Sequence, residues 1–147
     1  MEQRFNMTKT EPDAYSAMAV LDKLLAKSDI SPLHLELIRI RASQINGCAF
    51  CINHHTNEAM KIGETEQRIF LISLWREAPN VFTEEEGILF EITEEITNIS
   101  KYGLSDSVYA KAITQFGNQK TAHIIMAIIA INGYNRINVS LKMLPKF

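Results

Sequence analysis

Cysteine is nearly absent from this 147-residue chain: there are two, Cys48 and Cys51, too few for the disulfide framework of a small secreted scaffold. An excess of charge of one sign is also missing. Fifteen Lys and Arg stand against seventeen Asp and Glu, so no basic field is present to hold nucleic acid or an anionic membrane surface. The longest apolar run, Ile124 to Ile131, is far shorter than the roughly 18 to 20 residues that cross a bilayer. No membrane partner and no nucleic acid are expected. Residues 1–6 mix charge with polar side chains and hold no apolar stretch of the kind that directs export, so the chain is expected in the cytoplasm. With 46% hydrophobic and 22% charged residues, the composition fits one compact domain over 1–147 without linker, repeat or low-complexity tract.

Glycine and proline, 6 and 4 residues, sit between apolar-periodic segments rather than inside them, and strict alternation is lacking. The pattern predicts an all-α fold of about six to seven helices. A first helix is expected from about Pro12 to Lys27, with Tyr15, Met18, Val20, Leu24 and Leu25 among its apolar positions. Ser31 as N-cap and Pro32 at the first helical position open a second, which Asn46-Gly47 ends near Ile45. A third runs from about Cys48 to Gly63, a fourth from Thr65 toward Pro79, and a capping box at Thr83 to Glu86 opens a fifth that Gly103 breaks. Ser105 caps a short helix that Gly117 stops. The acidic face of Glu84 to Glu95 reads as solvated surface, with no docking function assigned. The last helix, from about Gln119, is apolar on all sides over Ile124 to Ile131, so either the core or another subunit must cover it.

Cys48 and Cys51 are three residues apart, a spacing that two randomly placed cysteines reach in roughly 1% of such chains. In a reducing compartment such a dithiol is read as catalytic or metal-binding. At about 100° per residue, Cys51 falls at about 300° and His55 at about 340° from Cys48, all on one helix face, while His54 falls at about 240°. Folding the chain back at Asn46-Gly47 puts Glu36 level with Asn57, within a turn of His55. Carboxylate, imidazole and dithiol outline a proton relay with base, orienting group and nucleophile. The competing reading is an ordinary i,i+3 pair of Glu36 with Arg39, and a His55 that merely packs. Cys48 and Cys51 lie in the first helical turn, where unpaired N–H groups favour thiolate; a sulfenic acid on one can condense with the other.

Glu36, Cys48-Ala49-Phe50-Cys51 and His55, with Gln44 to Gly47, Asn53 to Ala59, Gly63-Glu64-Thr65, Trp75-Arg76 and Ile131 to Arg136, resemble the AhpD-like alkylhydroperoxidases of the carboxymuconolactone decarboxylase superfamily. The resemblance covers most of the chain. It implies an all-helical fold that assembles as a dimer, trimer or hexamer. It also implies that Cys51 is the peroxidatic cysteine, Cys48 the resolving and more exposed one, His55 the base and Glu36 its supporting carboxylate. The implied activity is thiol-dependent reduction of a small-molecule organic hydroperoxide, with the disulfide recycled by an external dithiol or thiol reductant protein. No cofactor is implied. Superfamily decarboxylases lack the cysteine pair, which points this chain to the redox branch. The best-known peroxidases carry a histidine just before the second cysteine; here Phe50 stands there, lining a substrate pocket or simply packing.

Two other functions compete. One is a redox or stress sensor, or a disulfide oxidoreductase, that uses the same dithiol. The other is a metal site with Cys48, Cys51 and His55 as ligands, for which His54 or Glu36 would have to complete the usual four; no metal is expected. His34 and His123 lack companions at catalytic spacing and are read as packing or surface residues.

Overall fold

A computed structural model describes residues 2–145; Met1, the start of the N-terminal stretch considered above, lies outside it, as do Lys146 and Phe147. Every regular element among the described residues is helical: α1 (Met7–Thr10), α2 (Pro12–Leu25), α3 (Pro32–Asn46), α4 (Ala49–Lys61), α5 (Glu66–Leu71), a 3-10 segment (Ile72–Glu77), α6 (Glu84–Thr97), α7 (Ile99–Tyr102) and α8 (Asp106–Ser140). The expected start signals act as read. Ser31, Thr65, Thr83 and Ser105 each accept a hydrogen bond from the backbone N–H three residues on, and Thr83 and Glu86 complete a reciprocal capping box.

α3 is the central element, because Leu37, Ile38, Ile40 and Ala42 are fully buried and α3 packs against α4, α6 and α8. Leu89, Phe90 and Ile92 of α6 and Ile124, Ala127, Ile128 and Ile131 of α8 close the same core. The apolar α8 segment fills the core with one side, while Met126 and Ile129 on the other are exposed.

Several expectations are corrected. α2 is only loosely embedded; Leu25 is buried but Val20 and Leu24 are exposed, so its apolar face is narrower than predicted. The fourth predicted helix splits, with Leu74 outside helical geometry and exposed, because Trp75 turns inward. Its indole N–H donates to Glu94 at 2.9 Å and its ring meets Phe90 at 5.7 Å. The predicted break at Gly117 exists as a kink inside α8 (φ 70°, ψ 174°), and the Thr121 hydroxyl donates to the Ala112 carbonyl across it at 3.3 Å.

The acidic face is not simply solvated. Glu86 and Glu64 are buried on Arg68, whose guanidinium also reaches the Val81 carbonyl, and Glu94 takes Arg41 at 2.7 Å and Arg76 at 2.7 Å. Burial pushes the Glu94 carboxyl up, and its donors Trp75, Arg76 and Arg41 more than offset this and hold it below the usual range. The carboxylates therefore tie α6 to α3 and to the α5 region.

Candidate redox site

The α3–α4 hairpin builds the site. Gly47 adopts φ 65°, the left-handed conformation that a side chain disfavours, and reverses the chain within one residue. The Cys48 N–H then bonds back to the Ser43 carbonyl at 3.0 Å, and Cys48 becomes the N-cap of α4. α8 locks this turn from outside. Asn46 donates to Asn132 and Asn135, each at 2.9 Å, and Asn135 donates to Ser43 at 2.9 Å. The late Asn132-Gly133-Tyr134-Asn135-Arg136 segment thus has a local task, holding the turn that precedes the cysteines.

Cys48 and Cys51 are joined by a disulfide with Cα atoms 5.3 Å apart. The backbone N–H of Cys51 donates to the Cys48 sulfur at 3.3 Å, and the Asn138 amide donates to the Cys51 sulfur at 3.4 Å. Cys48 is not the more exposed partner: both cysteines are only 2% exposed, and it is Cys51 that lines the adjacent cavity. The turn ties the Cys48 backbone to Ser43, while Cys51, one helical turn on, reaches the cavity beside Asn138 of α8.

His55 Nδ1 lies 2.8 Å from Glu36 Oε2, as the hairpin register predicts, and Glu36 Oε1 pairs with Arg39 at 2.5 Å. Glu36 thus makes both the contact to His55 and the i,i+3 pair with Arg39. Arg39 continues to Asp22 of α2 at 3.3 Å. Burial pushes the Glu36 carboxyl up, and hydrogen bonding and charge from His55 and Arg39 overcome this, so it is held below the usual carboxylate range. An ionised carboxylate only accepts, so Nδ1 carries a proton toward Glu36 and Nε2 is the ring nitrogen that this contact leaves unused.

Over the disulfide lies a cavity of about 290 Å³. Tyr15 and Tyr134 form one wall, their rings edge-to-face at 5.8 Å, with half-buried Phe50 opposite and His54 at the rim. Phe50 also packs on the core, so its two readings coincide. The His54 and His55 rings meet at 4.8 Å; burial first, then the neighbouring His55 charge, keeps His54 below the ordinary histidine range. Burial and a hydrogen bond to Asp22 raise Tyr134, which stays a neutral phenol.

All five residues singled out in the sequence, Glu36, Cys48, Phe50, Cys51 and His55, converge here, whereas His34 and His123 lie elsewhere, paired with Glu85 at 3.7 Å and Asp29 at 2.7 Å. Sequence reasoning missed Asn138, Arg39 with Asp22, and the tyrosine pair. One signal was legible: Asn132, Asn135 and Asn138 recur every three residues along an otherwise apolar helix, a polar stripe that needs buried partners.

The described residues thus form a helical domain with a buried disulfide, a histidine bonded to a carboxylate and a cavity at one sulfur. The chain belongs to the carboxymuconolactone decarboxylase family, which residues 12–95 match. It is 36% identical over 141 residues to the uncharacterized protein YdfG of Bacillus subtilis (strain 168), covering 96% of this chain and 95% of that one. A solved structure from Agrobacterium tumefaciens, of a protein of unknown function described as a candidate antioxidant defence protein AhpD, superposes with a TM-score of 0.95 at 36% identity, covering 99% of each chain. The debrominase Bmp8, solved with 2,3,4-tribromopyrrole, shares the fold at a TM-score of 0.78 and 20% identity, over 95% of this chain and 74% of that one. The fold by itself therefore does not select a reaction.

Proposed function

We propose that the protein is a thiol-dependent peroxidase that reduces organic hydroperoxides at Cys51. The observation that carries this reading is the pairing of Glu36 with His55 beside a disulfide whose Cys51 sulfur lines a cavity. In the reduced protein His55 takes the Cys51 proton on Nε2, and the imidazolium is held by Glu36. The thiolate attacks the terminal peroxide oxygen; an S–O bond forms, the O–O bond breaks, and the departing alkoxide recovers the proton from His55 as an alcohol. Cys48 then attacks the Cys51 sulfenic acid, forming the disulfide and releasing water. An external dithiol reduces that disulfide and is itself oxidised, closing the cycle.

A sensor or simple disulfide exchanger needs the thiols but not an aromatic-walled cavity, which supports the peroxidase reading over these alternatives. The test is hydroperoxide consumption by purified protein with dihydrolipoamide as reductant. Turnover that Cys51→Ser abolishes is expected; a single oxidation equivalent without turnover would overturn it.

A further inference from the structure

We propose that Asn138 is a catalytic residue of this site, its amide N–H stabilising negative charge on the Cys51 sulfur and selecting Cys51 over Cys48 as the attacking thiolate. The inference rests on the reading of Cys51 as the peroxide-reducing thiol and adds what makes it so. Asn138 is 7% exposed and its Nδ2 lies 3.4 Å from the Cys51 sulfur. A thiolate has no proton to donate, so it is the NH₂ end of the amide that it engages.

The need for this donor follows from the helix. Cys48 occupies the N-cap of α4 and already receives the Cys51 backbone N–H at 3.3 Å, the position where a helix terminus most favours a negative sulfur. Local structure alone thus prefers Cys48, the sulfur that does not line the cavity. Asn138 reverses that preference from another element. A hydrogen bond to a charged acceptor is stronger than one to a neutral acceptor, so a donor aimed at Cys51 lowers the cost of its ionised state. Its register is fixed by Asn135 and Asn132, one and two steps of three residues earlier on α8, which are clamped to the turn before Cys48.

The experiment measures thiol ionisation without peroxide. In a Cys48→Ser background Cys51 is the sole thiol, and its iodoacetamide alkylation rate is followed against pH. Asn138→Leu is expected to move the Cys51 midpoint up by about one unit, a roughly tenfold smaller thiolate fraction below the midpoint. Asn138→Asp, which keeps the shape but sets a carboxylate beside the sulfur, is expected to move it further, and it carries the test if the leucine variant does not fold. In a Cys51→Ser background Asn138→Leu should leave the Cys48 midpoint in place, and Asn138→Asp should move it less than it moves Cys51. An unmoved Cys51 midpoint, or equal shifts at both cysteines, would overturn the proposal. Shifted Cys51 ionisation in a protein that consumes no hydroperoxide would instead sink the peroxidase reading alone.

Discussion

At the scale of single residues, Glu36 is bound on both carboxylate oxygens, to His55 and to Arg39, and this orients the base of the proposed cycle. Glu36→Gln is expected to lower kcat/KM for hydroperoxide by about a hundredfold, the lower range of a general-base contribution. Combined with His55→Ala, the loss should be much less than the product of the two single effects, because groups acting as one unit are non-additive. Steady-state kinetics on the double-mutant cycle give the answer, and independent effects would remove the relay. His34 offers a different prediction. Its Nδ1 is buried without a hydrogen-bond partner, and burial outweighs the attraction of Glu85 and Glu86, holding the imidazole below its ordinary range. The unfolded chain therefore takes up a proton near pH 6.5 that the folded one refuses, so stability is full above that pH and declines as pH falls below it. His34→Gln should flatten the fall in urea midpoint between about pH 6.5 and 5; an equal slope in both proteins would place the proton uptake elsewhere.

At the scale of elements, the cysteine turn depends on α8 rather than on its own sequence. Asn135 is fully buried and serves both Asn46 and Ser43. Asn135→Leu strands the buried Ser43 hydroxyl at about 1 to 3 kcal/mol and leaves the part-buried Asn46 amide only Asn132, which for a chain this long lowers Tm by several degrees. Calorimetry reads the loss, and the mass change on mild oxidation reads a slower closure of the Cys48–Cys51 bond. α2 depends on α8 as well. A Cβ at Gly133 would come within 2.9 Å of the Met18 methyl, the flexible end of a side chain on α2, the helix whose Tyr15 and Asp22 line the cavity. The hairpin register was legible from the Asn46-Gly47 turn and helical stepping. The kink that exposes Leu74 was not, since Glu94, which receives the Trp75 indole N–H, is nineteen residues away on another helix.

At the scale of the whole molecule, an open apolar groove of about 560 Å³ runs between α6 and α8, walled by Ile96, Ile99, Leu104, Ile125 and Ile129. Ile99 and Ile129 are each at least half exposed. An apolar surface of this kind is expected to be covered by a second copy of the chain. Light scattering should give an oligomer for the wild type, and Ile129→Lys should shift it toward the monomer; a monomeric wild type at micromolar concentration would refute this. Among the described residues no helix is long and apolar enough to cross a membrane.

The sequence by itself determined the all-helical class, the capped helix starts, the Gly47 reversal and the shared face of Cys48, Cys51 and His55, because each rests on contacts within a few residues along the chain or on the fixed pitch of a helix. It also placed Glu36 opposite His55, since a short turn leaves a hairpin almost no freedom of register. Only the tertiary structure decided which sulfur meets the cavity, that Phe50 both packs and lines it, and that the carboxylates of α6 are tied to arginines rather than left to solvent. Those outcomes belong to α8, α2 and Arg41, Arg68 and Arg76. Their distance along the chain from the groups they touch leaves no local pattern to read, and burial, which sets their charge and strength, exists only once the helices have packed.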